Sequence, residues 1–311
     1  MFSYDTIKNK PRLLRAMTGL DRSEFEELLK PFHAAWDAYV NETWSANPNR
    51  QRQPGGGRHP VLRTPADKLL FIVYYLKTYP LHEVLAFEFG MTQGQACTWI
   101  YLLSEVLKRA VASMGQVPER HSAALAATLA ESGETTFGID GTERKIQRPK
   151  DDERQRQHYS GKKKSHTVKN NVVVTLGSRV VKYLSGTYEG KKHDKKICDD
   201  EQPTFPEGST LYKDTGFQGY EPAGVRTYQP KKKPRGQELS AAEKQHSTLI
   251  SKVRIIVEHV ISGIKRCRIV KDIFRNLKDG FNDVVMELAC ALHNFRTTCR
   301  SRAQSAVPYS Q

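Results

Sequence analysis

The stretch Thr-Thr-Phe-Gly-Ile-Asp-Gly-Thr, residues 135–142, decides the fold that this sequence predicts. Its apolar and β-branched residues are typical of a strand, and the run ends at Asp140, which an Asp-Gly turn signal follows. A second stretch, Ser-Thr-Leu-Tyr-Lys-Asp-Thr-Gly-Phe (209–217), repeats the arrangement with Asp214. Because ligands of α/β sheets bind at strand ends, we expect both aspartates at one edge of a sheet.

A third carboxylate, Glu258, lies in a segment whose pattern predicts a helix. Arg254 precedes it by four residues and Lys265 follows it by seven, so all three lie near one helical face. Taken singly, an Asp-Gly pair is a turn and Arg254–Glu258 is a surface ion pair. Together, Asp140, Asp214 and Glu258 predict an anionic, all-oxygen site for two Mg²⁺ or Mn²⁺ ions, with Asp140 bridging them.

Composition points to a polyanionic partner. The 311 residues include 49 Lys+Arg and 34 Asp+Glu, which gives a net charge of +15. Such a balance favours nucleic acid, and a merely solvated basic surface is the alternative. The five cysteines have no zinc-ligand spacing and indicate reduced thiols, so we expect a cytoplasmic protein. We find no signal-peptide core and no apolar run of membrane-spanning length, and expect no membrane association.

The first third of the chain has helical periodicity. A helix region is predicted over 21–45, split at Pro31, and a polar Gly-rich linker follows at 47–60. Three helices then follow, one from Pro65, one over 81–89 that ends at Gly90, and one capped by Thr92. They predict a helix-turn-helix whose third helix directs three polar side chains at DNA, with a plain three-helix bundle as the alternative. These side chains are Gln93, Gln95 and Thr98.

The remainder alternates between strand and helix patterns. We predict strands at 135–147, 166–176, 179–187, 210–214 and 224–229, with Gly177-Ser178 as a tight turn. Helices are predicted at 194–201, 240–266 and 281–299. This order indicates a mixed α/β layer fold. The expected domains are a helical region (1–46), a basic linker (47–60), a helix-turn-helix domain (61–114), a connector helix (115–134), a catalytic domain (135–300) and a tail (301–311).

Four blocks, in this order, resemble those of bacterial insertion-sequence DDE transposases. The blocks are Gly-Ile-Asp-Gly-Thr-Glu (138–143), Gly-x-x-His-Asp (190–194), Asp-Thr-Gly-Phe-Gln-Gly (214–219) and Arg-x-x-x-Glu-x-x-x-x-Gly-x-Lys (254–265). The chain is most similar to the insertion-sequence-five group, which is related to Harbinger-type elements, and the resemblance extends from about 55 to 299. It implies an RNase H-like catalytic domain behind an N-terminal all-α helix-turn-helix region.

The resemblance also implies a function. Asp140, Asp214 and Glu258 match the catalytic DDE triad, and Arg254 and Lys265 match basic residues that flank the glutamate. A transposase of this kind binds the ends of its element and uses two metal ions per active site for strand cleavage and transfer. Synapsis of two ends implies a homodimer or larger assembly associated with the nucleoid. The alternatives are a metal-dependent nuclease without strand transfer and a non-catalytic DNA-binding derivative.

Two further acids compete for the site. Asp194 is a rival for the second carboxylate, but we favour its capping the helix that starts near Lys195. Glu143 lies three residues past Asp140, which directs it to the opposite strand face and argues against a ligand role.

Basic segments next to the site predict phosphate contacts. The segment 144–169 has ten Lys/Arg against three Asp/Glu. Arg58, in the Gly-rich linker, is suited to a minor groove, although a solvated linker is the alternative. We expect the two lysine runs to hold phosphates rather than to read bases. They are Lys162, Lys163 and Lys164, and Lys231, Lys232 and Lys233.

Overall fold

The structure is a computed structural model that describes residues 2–46, 60–230 and 240–305. The chain divides into two compact units, one comprising Met1–Val117 with Arg266–Ile269 and the other Pro118–Lys265 with Val270–Gln311. Arg58 and the run Lys231–Lys233 lie outside the described residues. None of the helices within the described ranges combines the length and the apolarity needed to cross a membrane.

The first unit is helical. Its helices are α1 (Tyr4–Ile7), α2 (Pro11–Thr18), α3 (Arg22–Ser45), α4 (Pro65–Thr78), α5 (His82–Phe89) and α6 (Gln93–Ser113). Helix α4 forms the centre of this unit, because its residues Leu69–Leu76 are all buried. It begins with a capping box in which Thr64 and Asp67 exchange hydrogen bonds, so Pro65 occupies the first helical turn as predicted.

The prediction that Pro31 splits the helix over 21–45 is wrong. Helix α3 is continuous, with Pro31 inside it. A proline in a helix costs about 3 kcal/mol. Burial of Phe25 and Phe32, each worth about 1.5–3 kcal/mol, offsets that cost. A capping box between Asp21 and Glu24 fixes the start of the helix as well.

The second unit combines a sheet with helices. Its strands are β1 (Thr136–Lys145), β2 (Tyr159–Ser160), β3 (Ser165–Thr175), β4 (Val181–Leu184), β5 (Tyr188–Glu189), β6 (Thr210–Lys213) and β7 (Arg226–Tyr228). Its helices are α7 (Leu125–Glu131), α8 (Asp152–His158), α9 (Asp194–Glu201), α10 (Ala241–Ile264) and α11 (Phe281–Ser305).

Strand β1 is central to the sheet. It pairs antiparallel with β3 and parallel with β6, which pairs parallel with β7. The path through the described strands is β2-β3-β1-β6-β7, and both β4 and β5 pair with β3. Three antiparallel strands followed by parallel additions are the mixed α/β, RNase H-like arrangement that the sequence predicted.

The two faces of β1 meet different helices. On one face Gly138 lies under α10, where a Cβ atom would come within 2.4 Å of Val257 Cγ2. On the other face Phe137 and Ile139 belong to a core cluster that includes Cys198 of α9. Because successive side chains of a strand alternate, Asp140 lies on the face that α10 covers.

Three local expectations differ from the structure. Asp140 is not at a strand end, because β1 continues to Lys145 through its pairing with β3. The connector at 115–134 holds only a short 3-10 turn and α7 rather than one longer helix. The turn between β3 and β4 is longer than two residues, and Arg179 there takes a left-handed backbone (φ 58°).

Candidate active site

Asp140 and Asp214 lie on neighbouring strands. Ile139 of β1 is in register with Lys213 of β6, so each aspartate follows a residue of the same register pair. Asp140 Oδ1 accepts a hydrogen bond from the N–H of Gly141 at 2.8 Å. Asp214 directly follows β6, as expected, and its Oδ1 accepts from the backbone N–H of the next residue at 2.5 Å. The sheet therefore brings these two carboxylates to adjacent positions.

The surroundings of the Asp140 carboxyl disfavour its ionised form. Burial, and then the negative charges of Asp214 and Asp194, raise the pKa of Asp140 to about 6. The Gly141 N–H and the Arg254 guanidinium act in the opposite direction and offset only part of this rise. A carboxyl that titrates near neutrality in a cluster of acids is typical of a functional site.

Helix α10 supplies the third acid and its counter-charge. Arg254 Nη2 lies 3.3 Å from Asp214 Oδ2 and 3.6 Å from Glu258 Oε1, so one guanidinium spans two carboxylates. Glu258 is exposed, whereas Arg254 and Asp214 are largely covered, with 22% and 28% of their side chains exposed. Among the described residues, no three Asp, Glu, His or Cys side chains already form a compact metal-binding group.

Lysine side chains lie near the C-terminal end of α10. Lys265 Nζ donates to the Glu143 carbonyl oxygen at 3.4 Å, which brings it to β1 beside Asp140. Burial, followed by repulsion from Lys163, lowers the pKa of Lys265. Lys163 lies with Lys162 and Lys164 in the exposed turn between β2 and β3. The predicted lysine run is therefore near the carboxylates.

Asp194 does not cap helix α9, contrary to our expectation. The helix starts at Asp194 itself, and His193 holds the N-cap position without a side-chain capping bond. The Asp194 carboxylate instead forms an ion pair with buried Lys169, whose Nζ is 3.1 Å from Oδ1. Lys169 also lies 3.7 Å from Glu143 Oε1. The Glu143 side chain therefore lies on the face of β1 opposite to α10, as its offset of three residues from Asp140 predicted.

Two lysines that support the site were missed from the sequence. Lys169 of β3 is in register with Glu143 of β1 and is 7% exposed. Lys213 of β6 is fully buried, bonds the Tyr220 carbonyl oxygen, and donates to Glu221 Oε1 at 2.6 Å. It therefore closes the loop that follows Asp214. The available signal was a lysine inside each segment whose pattern predicts a strand.

In the helical unit, α5 and α6 follow the predicted helix-turn-helix pattern. Gly90 ends α5 in a left-handed conformation with φ of 68°. Thr92 and Gln95 form a capping box at the start of α6, with Thr92 N–H donating to Gln95 Oε1 at 2.9 Å. Gln93, Gln95 and Thr98 are all exposed. The Thr98 hydroxyl donates to the carbonyl of its own helix four residues earlier, at 3.1 Å.

Comparisons with known proteins agree with this architecture. A family model described as DDE superfamily endonuclease matches residues 139–294, and one described as helix-turn-helix of DDE superfamily endonuclease matches residues 60–112. The chain is 24% identical over 291 residues to the probable transposase for insertion sequence element IS702 of Microchaete diplosiphon, covering 93% of this chain and 96% of that relative. No solved structure gives a significant match.

The chain belongs to the DDE superfamily endonucleases. The prediction of a bacterial insertion-sequence DDE transposase is confirmed, with a DNA-binding helix-turn-helix domain ahead of an endonuclease domain. The family acts in DNA transposition and generally uses divalent metal ions.

Proposed function

We propose that this chain binds the ends of its own element, cleaves DNA strands there and joins them to target DNA, with Asp140, Asp214 and Glu258 as its catalytic triad. One observation carries the proposal. Asp214 and Glu258 share the Arg254 guanidinium near the partly buried Asp140, in a chain that belongs to the DDE endonucleases. The domain boundaries given above, from the linker to the tail, remain part of this proposal.

The donor set fits a hard divalent cation. Carboxylate oxygens are the ligands that Mg²⁺ and Mn²⁺ prefer, and Asp140, Asp214 and Glu258 would hold two such ions. Burial, followed by the negative charges of Asp214 and Asp194, raises the pKa of Asp140, and bound cations would favour its ionised form. When bound, the ions would activate the attacking oxygen and stabilise the leaving oxygen during in-line displacement at phosphorus.

The basic side chains have a separate task. Once the acids are neutralised by cations, Arg254 is no longer held by Asp214 and Glu258, and its planar guanidinium suits bidentate binding of a phosphate. Lys265, which follows α10, and the exposed Lys162–Lys164 turn bind the neighbouring backbone. These contacts hold the strand in register, because phosphates position a duplex but carry no sequence information.

Sequence recognition falls to the helix-turn-helix. We infer that α6 enters the major groove with its first turn, where Gln93, Gln95 and Thr98 contact bases or phosphates. Arg58 and Lys231–Lys233 would add backbone contacts. Pairing of two element ends requires two active sites, so the working form is a homodimer or a larger assembly.

The test uses the full chain and a plasmid that carries its coding region with the flanking DNA on both sides. Cleavage at the flanks, and joining to a second plasmid, are measured with Mg²⁺, Mn²⁺, Ca²⁺ or EDTA. We expect cleavage and joining with Mg²⁺ and Mn²⁺, little with Ca²⁺ and none with EDTA. Asp140→Asn provides the matched inactive variant.

The same assay separates the alternatives. Cleavage that never yields joined products would identify a nuclease without strand transfer. Specific binding of the flanks without cleavage under any metal would identify a non-catalytic DNA-binding protein. Cleavage that survives in Asp140→Asn would remove the triad from the proposal.

A further inference from the structure

We propose that Asp194 is a positioning residue that sets the spacing of Asp140 and Asp214 from the face of β1 opposite to α10. The inference rests on the proposed function of those two aspartates. Asp194 touches neither carboxylate in this role. It acts through two glycines, Gly141 and Gly216, that follow them in the chain.

The Asp194 carboxylate packs closely against Gly141. A Cβ atom at position 141 would lie 2.5 Å from Asp194 Oδ1 and 2.7 Å from its Cγ, well inside van der Waals contact. Gly141 lies within β1 and does not have a positive φ, so backbone conformation does not demand a glycine there. The close packing of the Asp194 carboxylate is what favours a glycine at position 141.

Gly216 faces the same carboxylate at a longer distance. A Cβ atom at position 216 would lie 3.1 Å from Asp194 Oδ2, and Gly216 likewise has no positive φ. One carboxylate therefore lies against the residue after Asp140 and against the second residue after Asp214. The size of the Asp194 carboxylate therefore sets how closely the segment after Asp140 and the segment after Asp214 approach each other.

The Asp194 carboxylate is itself held in place. Lys169, on β3, lies 3.1 Å from Oδ1 and donates a hydrogen bond to the Lys192 carbonyl oxygen at 2.9 Å. Asn171, which is in register with Gly141, donates from Nδ2 to the Asp194 carbonyl oxygen at 2.8 Å. Both partners are buried, at 7% and 1% exposure, so the start of α9 is anchored to the strand next to β1.

The first test is Asp194→Asn in the full chain, with Asp199→Asn as the matched control on the same helix. Asp199 is paired only with Lys195 among the ion pairs of the described residues. Asparagine keeps the width of this side chain but loses the ion pair with Lys169 that holds it in place. Outer partners of a metal site typically contribute 10–100-fold in affinity or activity, so we expect Asp194→Asn to lower kcat and Mn²⁺ affinity by about 10–100-fold each. The KM for flanking DNA should stay within roughly twofold, because no phosphate contact is removed. Asp199→Asn should match the parent.

The second test measures the contact without metal or activity. Gly141→Ala should be strongly destabilising in the parent, because its Cβ meets the Asp194 carboxylate, and much less so in an Asp194→Ala background. The midpoints of urea unfolding of the four proteins give the coupling. Lys169→Met offers a further variant if Asp194→Asn fails to fold, and should weaken Mn²⁺ binding in the same direction.

Each outcome decides the question. Unchanged kcat and Mn²⁺ affinity in Asp194→Asn, or additive effects of Gly141→Ala and Asp194→Ala, would overturn the inference. Loss of Mn²⁺ binding as complete as in Asp140→Asn would make Asp194 a ligand instead of a positioning residue. If Asp140→Asn itself kept full Mn²⁺ binding, the proposed metal site would fail, while the unfolding cycle would still report on the Asp194 contact.

Discussion

The two faces of β1 hold their charged side chains in different ways. On the α10 face, the Arg254 guanidinium contacts Asp214 and Glu258, and its charge also acts on Asp140. On the α9 face, Glu143 and Asp194 share the buried Lys169. Among these described groups both faces are net negative, but only the first includes a carboxyl whose pKa rises to about 6.

The difference lies in how the charges are held. Lys169 is 7% exposed and also bonded to backbone, so the α9 face is fixed and serves as support. Arg254 contacts its acids at 3.3 and 3.6 Å beside an exposed Glu258, so cations and phosphates can compete for these groups. A face whose acids share a buried lysine stabilises the strand, and a face with an exposed acid is available for ligands.

The largest expected effect is on catalysis by Asp140→Asn, compared with Glu143→Gln on the opposite face of the same strand. Loss of a carboxylate that holds metal should remove several kcal/mol of transition-state stabilisation, or at least ~10³-fold in cleavage rate. Glu143→Gln should lose less than about tenfold, as expected for a group outside the reacting centre. Single-turnover cleavage measures both. Equal losses would mean that the two faces do not differ in role.

The next effect concerns Arg254→Gln, with Lys252→Gln on the same helix as the control. Removing the guanidinium should tighten Mn²⁺ binding to the DNA-free protein by about fivefold, because a competing charge ~4 Å away is worth ~1 kcal/mol. DNA affinity should fall at the same time. Calorimetry with Mn²⁺ and a DNA-binding titration give the two values. Weaker Mn²⁺ binding would show that Arg254 organises the acids and does not compete for them.

A third expectation concerns pH. The pKa of Asp140 in the folded protein, about 6, is above its ordinary value of 3.8. The folded state therefore pays a penalty that is absent below pH 4, grows as the pH rises to 6, and is complete above it. Asp140→Asn should stabilise the metal-free protein at pH 7.5 by up to about 3 kcal/mol and leave it unchanged at pH 4. Urea unfolding in EDTA measures this, and a pH-independent difference would contradict it.

The same titration limits metal binding. Protonation of Asp140 competes with the cation, so Mn²⁺ affinity should fall by up to tenfold per unit as the pH drops below about 6. Glu143→Gln should leave this profile in place, whereas Asp140→Asn should bind Mn²⁺ too weakly to show one. A fall in affinity centred well away from pH 6 would assign the titration to another group.

The smallest effect is expected from the exposed turn. Lys163→Gln should weaken DNA binding only a few-fold and reduce the slope of log affinity against log salt by about 0.9, as for one lost phosphate contact. Sequence preference should not change. A shifted preference with an unaltered salt slope would mean that Lys163 reads bases.

Much of this site could be predicted from local sequence. Asp214 follows a strand and Glu258 lies on a helix with Arg254, because apolar periodicity and turn signals are local properties. Asp194 could not be placed in this way. Its capping role was the natural local expectation, and only the packing of its carboxylate against Gly141 revealed a different one. Continuity of α3 through Pro31 likewise depends on tertiary burial, which outweighs a local helix breaker.

Gly138 has no side chain, and this absence affects how near Glu258 comes to Asp140. The absence of a side chain there lets Val257 approach β1 so closely that a Cβ would be 2.4 Å from Cγ2. An added methyl group would push α10 away from β1, moving the Glu258 carboxylate and the Arg254 guanidinium together and widening the proposed metal site. The dimensions of the proposed site therefore depend on a residue that has no side chain to offer it.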